Sequence, residues 1–186
     1  MKSLITVLAV ASIFSFAFKP ATTKYFTREA KVNFLSDAPL EKIEGKNNQA
    51  VSTLDISTGQ LDFAVLMKAF EFEKALMQEH FNENYVESDK FPKASFKGTI
   101  TNLTSVKWNT DGIYPVDVAG KMTMHGVTKD MTAKGTITIK EGKISSASTF
   151  DLVITEYGIV IPGVVKDKVS NTVKIDVTAA YNPFEG

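Results

Sequence analysis

The clearest alternation of apolar and polar residues covers residues 116–139. On both sides of the dipeptide His125-Gly126, an apolar side chain or a glycine occupies every second position. A period of two places alternate side chains on opposite faces of a strand. Two such runs joined by a short glycine-containing turn are typical of an antiparallel hairpin. The pattern therefore predicts two paired strands with a turn at His125-Gly126.

The same alternation predicts strands along most of the remaining chain. These strands cover residues 25–35, 40–45, 50–56, 61–67, 95–100, 144–154 and 169–181, with residues 106–109 as a candidate extension of the fifth. The polar tetrapeptide at 46–49 is predicted to be a turn between the second and third strands. Apolar spacings of three and four predict a single short amphipathic helix over residues 72–84.

Eight or nine short strands with one helix and no linker predict a single all-β domain. Closely spaced antiparallel strands are typical of a barrel or a sandwich. The sustained one-sided alternation, with few strand breakers, favours the barrel. A barrel of eight strands is just wide enough to be filled by side chains or to hold one small ligand.

The first residues of the chain have the pattern of a secretory signal. Met1-Lys2 gives a positive start, residues 4–18 are almost wholly apolar, and Ser15-Phe16-Ala17 has the small residues of a cleavage site. The apolar run is shorter than the ~20 residues that span a bilayer as a helix. We therefore expect a signal peptide over residues 1–17, a barrel domain over residues 18–186 and a periplasmic or secreted protein. An uncleaved anchor is the alternative. No stable membrane span is expected after cleavage.

Composition and motifs exclude several classes of function. Lysine plus arginine and aspartate plus glutamate number 21 each, so no basic footprint for nucleic acid is present. The chain has no cysteine, which excludes disulfides and thiolate chemistry. His80 and His125 each stand without a second histidine at helical spacing, and no Gly-x-Ser-x-Gly or Walker motif occurs. We therefore expect no catalytic residues, no metal and no cofactor, and a protein that is not an enzyme.

Large apolar side chains are abundant: the chain has 13 phenylalanines and 6 methionines. Many fall on the inward face of the predicted strands, where they indicate either a filled core or an apolar cavity. Periodicity does not distinguish these two cases. Glycines 98, 120 and 135 also fall on inward positions and are expected to leave space. The candidate ligand-binding residues are Phe34, Phe63, Val65, Met67, Phe72, Leu76, Phe81, Phe96, Ile100, Val118, Met122, Met124, Met131, Ile137, Phe150 and Leu152.

Three stretches of the sequence resemble a known family. Residues 81–98 read FNENYVESDKFPKASFKG, residues 120–129 read GKMTMHGVTK, and Glu156-Tyr157-Gly158-Ile159 is followed by Pro162. They resemble the ESDKFP helix and loop, the G-x-L-T-x-H-G-V-T-K hairpin and the YGI…P segment of the YceI-like family. The resemblance extends over residues 25–181. The Arg-Asp pair that many relatives carry in the helix region is replaced here, since residues 76–81 read LMQEHF.

The resemblance implies an extended, lipocalin-like antiparallel β-barrel of about eight strands with one short helix. It also implies an exported protein that holds an isoprenoid or other long-chain amphiphilic lipid inside the barrel for transport, storage or sequestration. An isoprenoid quinone or a polyprenyl chain is the expected kind of ligand, with its head group near the helix and the loop after it. A homodimer is compatible with the sequence.

Two alternatives remain open at this point. One is a lipid-modifying enzyme that uses the same cavity, which would require a polar cluster around His80 or His125. The other is a structural barrel of the cell envelope with a filled core.

Overall fold

Eight antiparallel strands form one closed barrel in the computed structural model of the protein, which describes residues 22–184. The strands are β1 (Lys24–Asp37), β2 (Lys42–Asp55), β3 (Gln60–Leu66), β4 (Lys93–Ile100), β5 (Gly112–Met124), β6 (Val127–Lys140), β7 (Lys143–Val153) and β8 (Thr172–Pro183). Each strand pairs with the next, and β8 pairs with β1, so the sheet has no free edge. The predicted all-β antiparallel barrel is therefore confirmed.

The expected signal peptide, residues 1–17, lies outside the described residues. Across residues 22–184, no helix combines the length and the apolar character needed to cross a bilayer.

The hairpin predicted over residues 116–139 is formed by β5 and β6. Val118 pairs with Ala133, and Gly120 pairs with Met131, so the predicted inward residues of both arms face the same side. His125 and Gly126 have φ values of 50° and 76°. Positive φ at both central residues is what a tight two-residue hairpin turn of type I′ requires. The predicted turn is therefore confirmed.

The predicted turn at residues 46–49 is wrong, because β2 runs through it without a break. Between the pairs Val32↔Asn47 and Ala30↔Ala50, β2 has an extra residue and forms a β-bulge. The side chain of Asn47 is fully buried there. Its Oδ1 accepts the backbone N–H of Gln49, and its Nδ2 donates to the carbonyl oxygen of Leu66, both at 2.9 Å. Residues 46–49, whose polar side chains predict a turn, therefore lie inside a strand.

The connection from β3 to β4 contains the helical segment. It begins with a 3-10 turn, Met67–Ala69, and continues with helix α1, Ala75–His80, which runs into a π-helical turn, Phe81–Tyr85. The predicted helix over residues 72–84 therefore begins too early, because the backbone of Lys74 is extended. The candidate strand extension at residues 106–109 is also wrong, since a 3-10 turn at Leu103–Ser105 ends the strand and a turn follows.

The two ends of the barrel are packed differently. At one end, which we call the closed end, Leu54, Ile100 and Ile137 are almost completely buried. The hydroxyl of Tyr181 lies 2.9 Å from Ser52 Oγ and 3.2 Å from Ser146 Oγ in the same region. The opposite end, which we call the mouth, carries the connections at residues 38–41, 67–92, 125–126 and 154–171. Side chains fill the closed end, whereas the interior near the mouth is hollow.

Candidate functional site: an apolar cavity at the mouth of the barrel

A cavity of about 500 Å³, which we call the main cavity, lies between the mouth end of the strands and the α1 segment. Its walls come from inward positions of β1 to β5, β7 and β8, together with the helical segment and the loop before β8. These walls are formed mostly by phenylalanine, methionine and branched aliphatic side chains. Volumes of 300 to 1,000 Å³ with apolar walls are typical of small-molecule sites.

Four phenylalanine rings form a cluster in the wall of the main cavity. The ring of Phe81 lies at the centre, with its centroid 5.5 Å from Phe34, 5.4 Å from Phe70 and 5.0 Å from Phe72. These distances fall in the range preferred by aromatic pairs. Phe81 belongs to the π-helical turn and Phe34 to β1, so the cluster attaches the helical segment to the barrel.

A second cavity of about 130 Å³, the deep cavity, lies further from the mouth. It is lined by Val32 of β1, by the middle of β3 to β8, and by Ile100 and Ile137 near the closed end. The two cavities are neighbours, since five residues line both. These shared residues are Val32, Val65, Ala94, Met122 and Ile175.

The sixteen candidate residues all lie in the walls of these two cavities. The main cavity is lined by Phe34, Val65, Met67, Phe72, Leu76, Phe81, Met122, Met124 and Leu152. The deep cavity is lined by Phe63, Val65, Phe96, Ile100, Val118, Met122, Met131, Ile137 and Phe150. The period of two identified thirteen of these positions on the predicted strands, because every inward side chain of a small barrel borders its interior, and the helical spacing identified Phe72, Leu76 and Phe81. Their contact with a ligand stays a prediction.

Two of the three inward glycines, Gly98 and Gly120, do not provide the expected space, whereas Gly135 lines the deep cavity. Gly98 and Gly120 pair across β4 and β5, and the ring of Phe96 lies over both. A Cβ atom at Gly120 would also meet the backbone oxygen of Lys97 and the Cα of Gly98. These glycines allow two strands and an aromatic ring to approach closely. The cavities lie elsewhere in the interior, and the larger of these two lies toward the mouth.

Polar groups surround the mouth of the main cavity and were not among the predicted site residues. They are Ser36, Glu41, Lys74, His80, Tyr85 and Lys168. Burial raises the pKa of the Tyr85 phenol above its usual value. Lys74 Nζ lies 4.0 Å from Glu41 Oε1, and both side chains remain partly accessible to water. Most of these residues lie in connections, where no strand period predicts which way a side chain points.

His125 lies at the mouth end but does not line either cavity. Its Nδ1 is 3.1 Å from the carbonyl oxygen of Tyr157, and its Nε2 is 2.7 Å from Glu87 Oε2. The ring also packs edge-on against Phe91, at 4.5 Å between centroids. The interpretation of His125 as a turn residue is confirmed, but its hydrogen-bond partners are distant in sequence. The ring is held in the structure and does not open into the cavity.

His80 is exposed on α1 at the rim of the main cavity. Among residues 22–184, no group of three histidine, aspartate or glutamate side chains is close enough to hold a metal ion. Of the two histidines that the enzyme alternative invokes, His80 lies among the polar groups at the mouth, whereas His125 lines neither cavity.

Comparisons with known proteins agree with the geometry of the barrel. A family model described as a YceI-like domain matches residues 24–181. A UPF0312 protein of Pseudomonas fluorescens is 39% identical over 62 residues, which are 33% of this chain and 30% of that protein. The alignment therefore spans less than a third of that relative's length.

Two solved structures have the same fold. A polyisoprenoid binding domain from Saccharophagus degradans, implicated in plant cell wall breakdown, superposes with a TM-score of 0.76 at 11% identity, over 88% of this chain and 100% of that one. Burkholderia cenocepacia BcnA gives a TM-score of 0.67 at 14% identity, over 82% and 96% of the two chains. At these identities the likeness establishes the fold.

Proposed function

The chain belongs to the YceI-like family, and we propose that it binds the tail of an isoprenoid or other long-chain amphiphilic lipid inside the barrel. The observation that carries this proposal is the main cavity of about 500 Å³ with its apolar walls. An alkyl or isoprenoid tail moved from water into such a site gains about 0.8 kcal/mol for each buried methylene. Few polar contacts are then needed for tight binding.

The two ends of the main cavity differ in polarity, as do the head group and the tail of an amphiphile. The tail occupies the apolar interior, and the head group stays at the mouth beside Lys74, His80 and Lys168, which can donate hydrogen bonds there. This arrangement keeps the charged or polar head hydrated while the tail is buried. In this proposal the head group lies near α1, which is where the sequence predicts it.

The biological role that follows is transport, storage or sequestration of the lipid without chemical change. A solved structure of the same fold is described as a polyisoprenoid binding domain, which supports a lipid ligand of this class. The signal-like residues 1–17 support a periplasmic or secreted location. An enzyme would need a second reactive group near the ligand, and His125, the most suggestive candidate, is already engaged by Glu87 and Tyr157.

The test is to identify and quantify lipid bound to the purified full-length protein by native mass spectrometry and organic extraction. We expect a co-purifying lipid, or saturable binding of a fluorescent fatty-acid probe after delipidation. Absence of both, for protein produced in several hosts, would contradict the proposal.

A matched pair of variants tests the location of the ligand. Ala94 is buried and lines both cavities, whereas Ala64 is exposed on the neighbouring strand β3. Ala94→Leu fills interior space and should strongly reduce the bound lipid while the barrel stays folded. Ala64→Leu adds the same group on the outside and should leave binding unchanged. Equal binding by both variants would place the ligand outside the barrel.

A further inference from the structure

Met122 lies at the boundary between the main cavity and the deep cavity. It faces inward from β5, opposite Phe96 of β4 on one side and Lys129 of β6 on the other. The other four boundary residues are alanine, valine or isoleucine. The β-branched members of that group are stiff at χ1, while alanine has no rotamer to change. Methionine has three rotatable bonds, so Met122 is the boundary side chain that can change its shape most easily.

The cavity volumes set the length of tail that each space can hold. A water molecule occupies about 30 Å³ of the liquid, and a methylene group is of comparable size. By this measure the main cavity of about 500 Å³ holds roughly 15 methylene-sized groups. The deep cavity of about 130 Å³ holds roughly four more.

The closed end sets an absolute limit on tail length. Beyond the deep cavity the interior is filled by Leu54, Ile100 and Ile137, which are exposed by 2% or less. Tyr181 closes the same region through its hydrogen bonds with Ser52 and Ser146. A tail that enters at the mouth therefore has no exit at the other end.

We propose that Met122 determines which tail lengths this protein accepts. Met122 ends the main cavity for tails of about 15 to 16 carbons and must turn aside before a longer tail can reach the deep cavity. The preferred ligand is thus a single-chain amphiphile, acyl or isoprenoid, with a tail of about 15 to 20 carbons. This inference rests on the proposed function and adds to it a ligand size and the residue that sets it.

The experiment uses the delipidated full-length protein and a series of saturated fatty acids of about 12 to about 24 carbons, which share one head group and differ only in length. Dissociation constants are measured by displacement of a fluorescent fatty acid. For the unsubstituted protein we expect affinity to rise with length up to about 16 carbons and then to level off or fall. A steady rise to the longest chain would overturn the inference.

Two substitutions at Met122 should move the optimum in opposite directions. Met122→Ala joins the two cavities and should shift the preferred tail by about four carbons toward longer chains. Met122→Phe encroaches on the main cavity and should shift the preference toward shorter chains. Thermal unfolding of each variant checks that the barrel is folded, and either variant alone is sufficient for the test.

Leu66→Ala is the control, because Leu66 is 54% exposed and lines neither cavity. It removes an apolar side chain similar in size to methionine without changing the interior, so the preferred length should stay that of the unsubstituted protein. An equal shift in Leu66→Ala, or no shift in either Met122 variant, would overturn the role of Met122 and leave lipid binding intact. A failure of every fatty acid to bind would contradict both the inference and the proposed function.

Discussion

The carboxylate Oε2 of Glu87 lies 2.7 Å from Nε2 of His125, although 38 residues separate them in sequence. The other ring nitrogen of His125 lies 3.1 Å from the carbonyl oxygen of Tyr157. Both partners are oxygen atoms, so each ring nitrogen of His125 faces one hydrogen-bond acceptor. One imidazole thereby joins the loop after the π-helical turn, the β5–β6 turn and the 3-10 turn Ile154–Tyr157. These are three of the segments that form the mouth.

Replacing His125 should therefore destabilise the mouth end. His125→Asn is the informative variant, because asparagine tolerates the positive φ of this position but is too short to reach both partners. Loss of hydrogen bonds that involve a charged group typically costs about 1.5 to 3 kcal/mol. We expect a decrease of about 2 kcal/mol in the free energy of unfolding, measured in urea.

Glu141→Asn is the control for this prediction. Glu141 has a φ of 52° in the β6–β7 turn, so the same residue is introduced into the same backbone conformation. The backbone N–H of residue 141 donates a hydrogen bond to the carboxylate of Asp111, and this hydrogen bond is retained in the variant. The free energy of unfolding of Glu141→Asn should stay the same or rise slightly. Equal destabilisation of both variants would show that the turn, and not the His125 contacts, is responsible.

Asn47→Ala should cost about 2 kcal/mol of stability, because it removes two hydrogen bonds of a fully buried side chain, each of which typically contributes about 1 kcal/mol. Asn48→Ala changes an exposed residue of the same bulge and should cost little. Chemical denaturation of both variants measures the difference. Similar midpoints for the two would mean that the Asn47 contacts contribute nothing to the bulge.

Gly120→Ala should weaken the pairing of β4 with β5. The new methyl group would meet the backbone of Lys97 and Gly98, which cannot move aside as a side chain could. Overpacking of this kind typically costs about 1 to 3 kcal/mol. Gly163→Ala is the control, since nothing lies within 4 Å of the added atom. Thermal unfolding should show a clear decrease for Gly120→Ala only.

Phe81→Ala should weaken lipid binding, because Phe81 contacts three other rings in the wall of the main cavity. A loss of about 1.4 kcal/mol of binding free energy corresponds to a tenfold rise in the dissociation constant. We expect a rise of about this size for a fluorescent fatty acid. Phe184→Ala removes a half-exposed ring that packs on Phe26 and should leave binding unchanged. This prediction fails if the two variants bind equally well.

Tyr181 should make the barrel sensitive to alkaline pH. Burial raises the pKa of its phenol above the usual value of 10, although hydrogen bonds with Ser146 and Ser52 act in the opposite direction. The folded state therefore keeps this proton at a pH where the unfolded state releases it. The stability contributed by the neutral phenol is fully present below pH 10 and is lost as pH rises toward the folded-state pKa.

Tyr181→Phe tests this dependence. At pH 7 the variant should be less stable by about 1 kcal/mol, because its hydrogen bonds are lost. Above the usual tyrosine pKa this deficit should shrink, since phenylalanine does not ionise. Urea denaturation at neutral and alkaline pH measures the difference between the two proteins, with Tyr114→Phe as a control. A deficit that stays constant with pH would contradict the prediction.

The residues that the sequence placed correctly are those governed by one local rule. In β5 and β6, a strict period of two identified Val118, Met122 and Met131 as inward, and the glycine after His125 marked the turn. Successive side chains in a strand point to opposite faces, so the order of residues along the chain was sufficient to predict which ones face inward. Periodicity favoured a barrel over a sandwich, and the family resemblance added that about eight strands form it.

Other features depend on contacts that no local pattern contains. Asn47 indicates a turn by its type, but Leu66 supplies the acceptor that lets β2 continue. The space expected at Gly120 is taken by the ring of Phe96. His125 binds Glu87 and Tyr157 because the barrel brings their segments together. The sequence by itself determined which side chains face inward. Only the tertiary structure decided that those near the closed end pack together while those near the mouth surround a cavity, because packing depends on which side chains meet across the interior of the barrel.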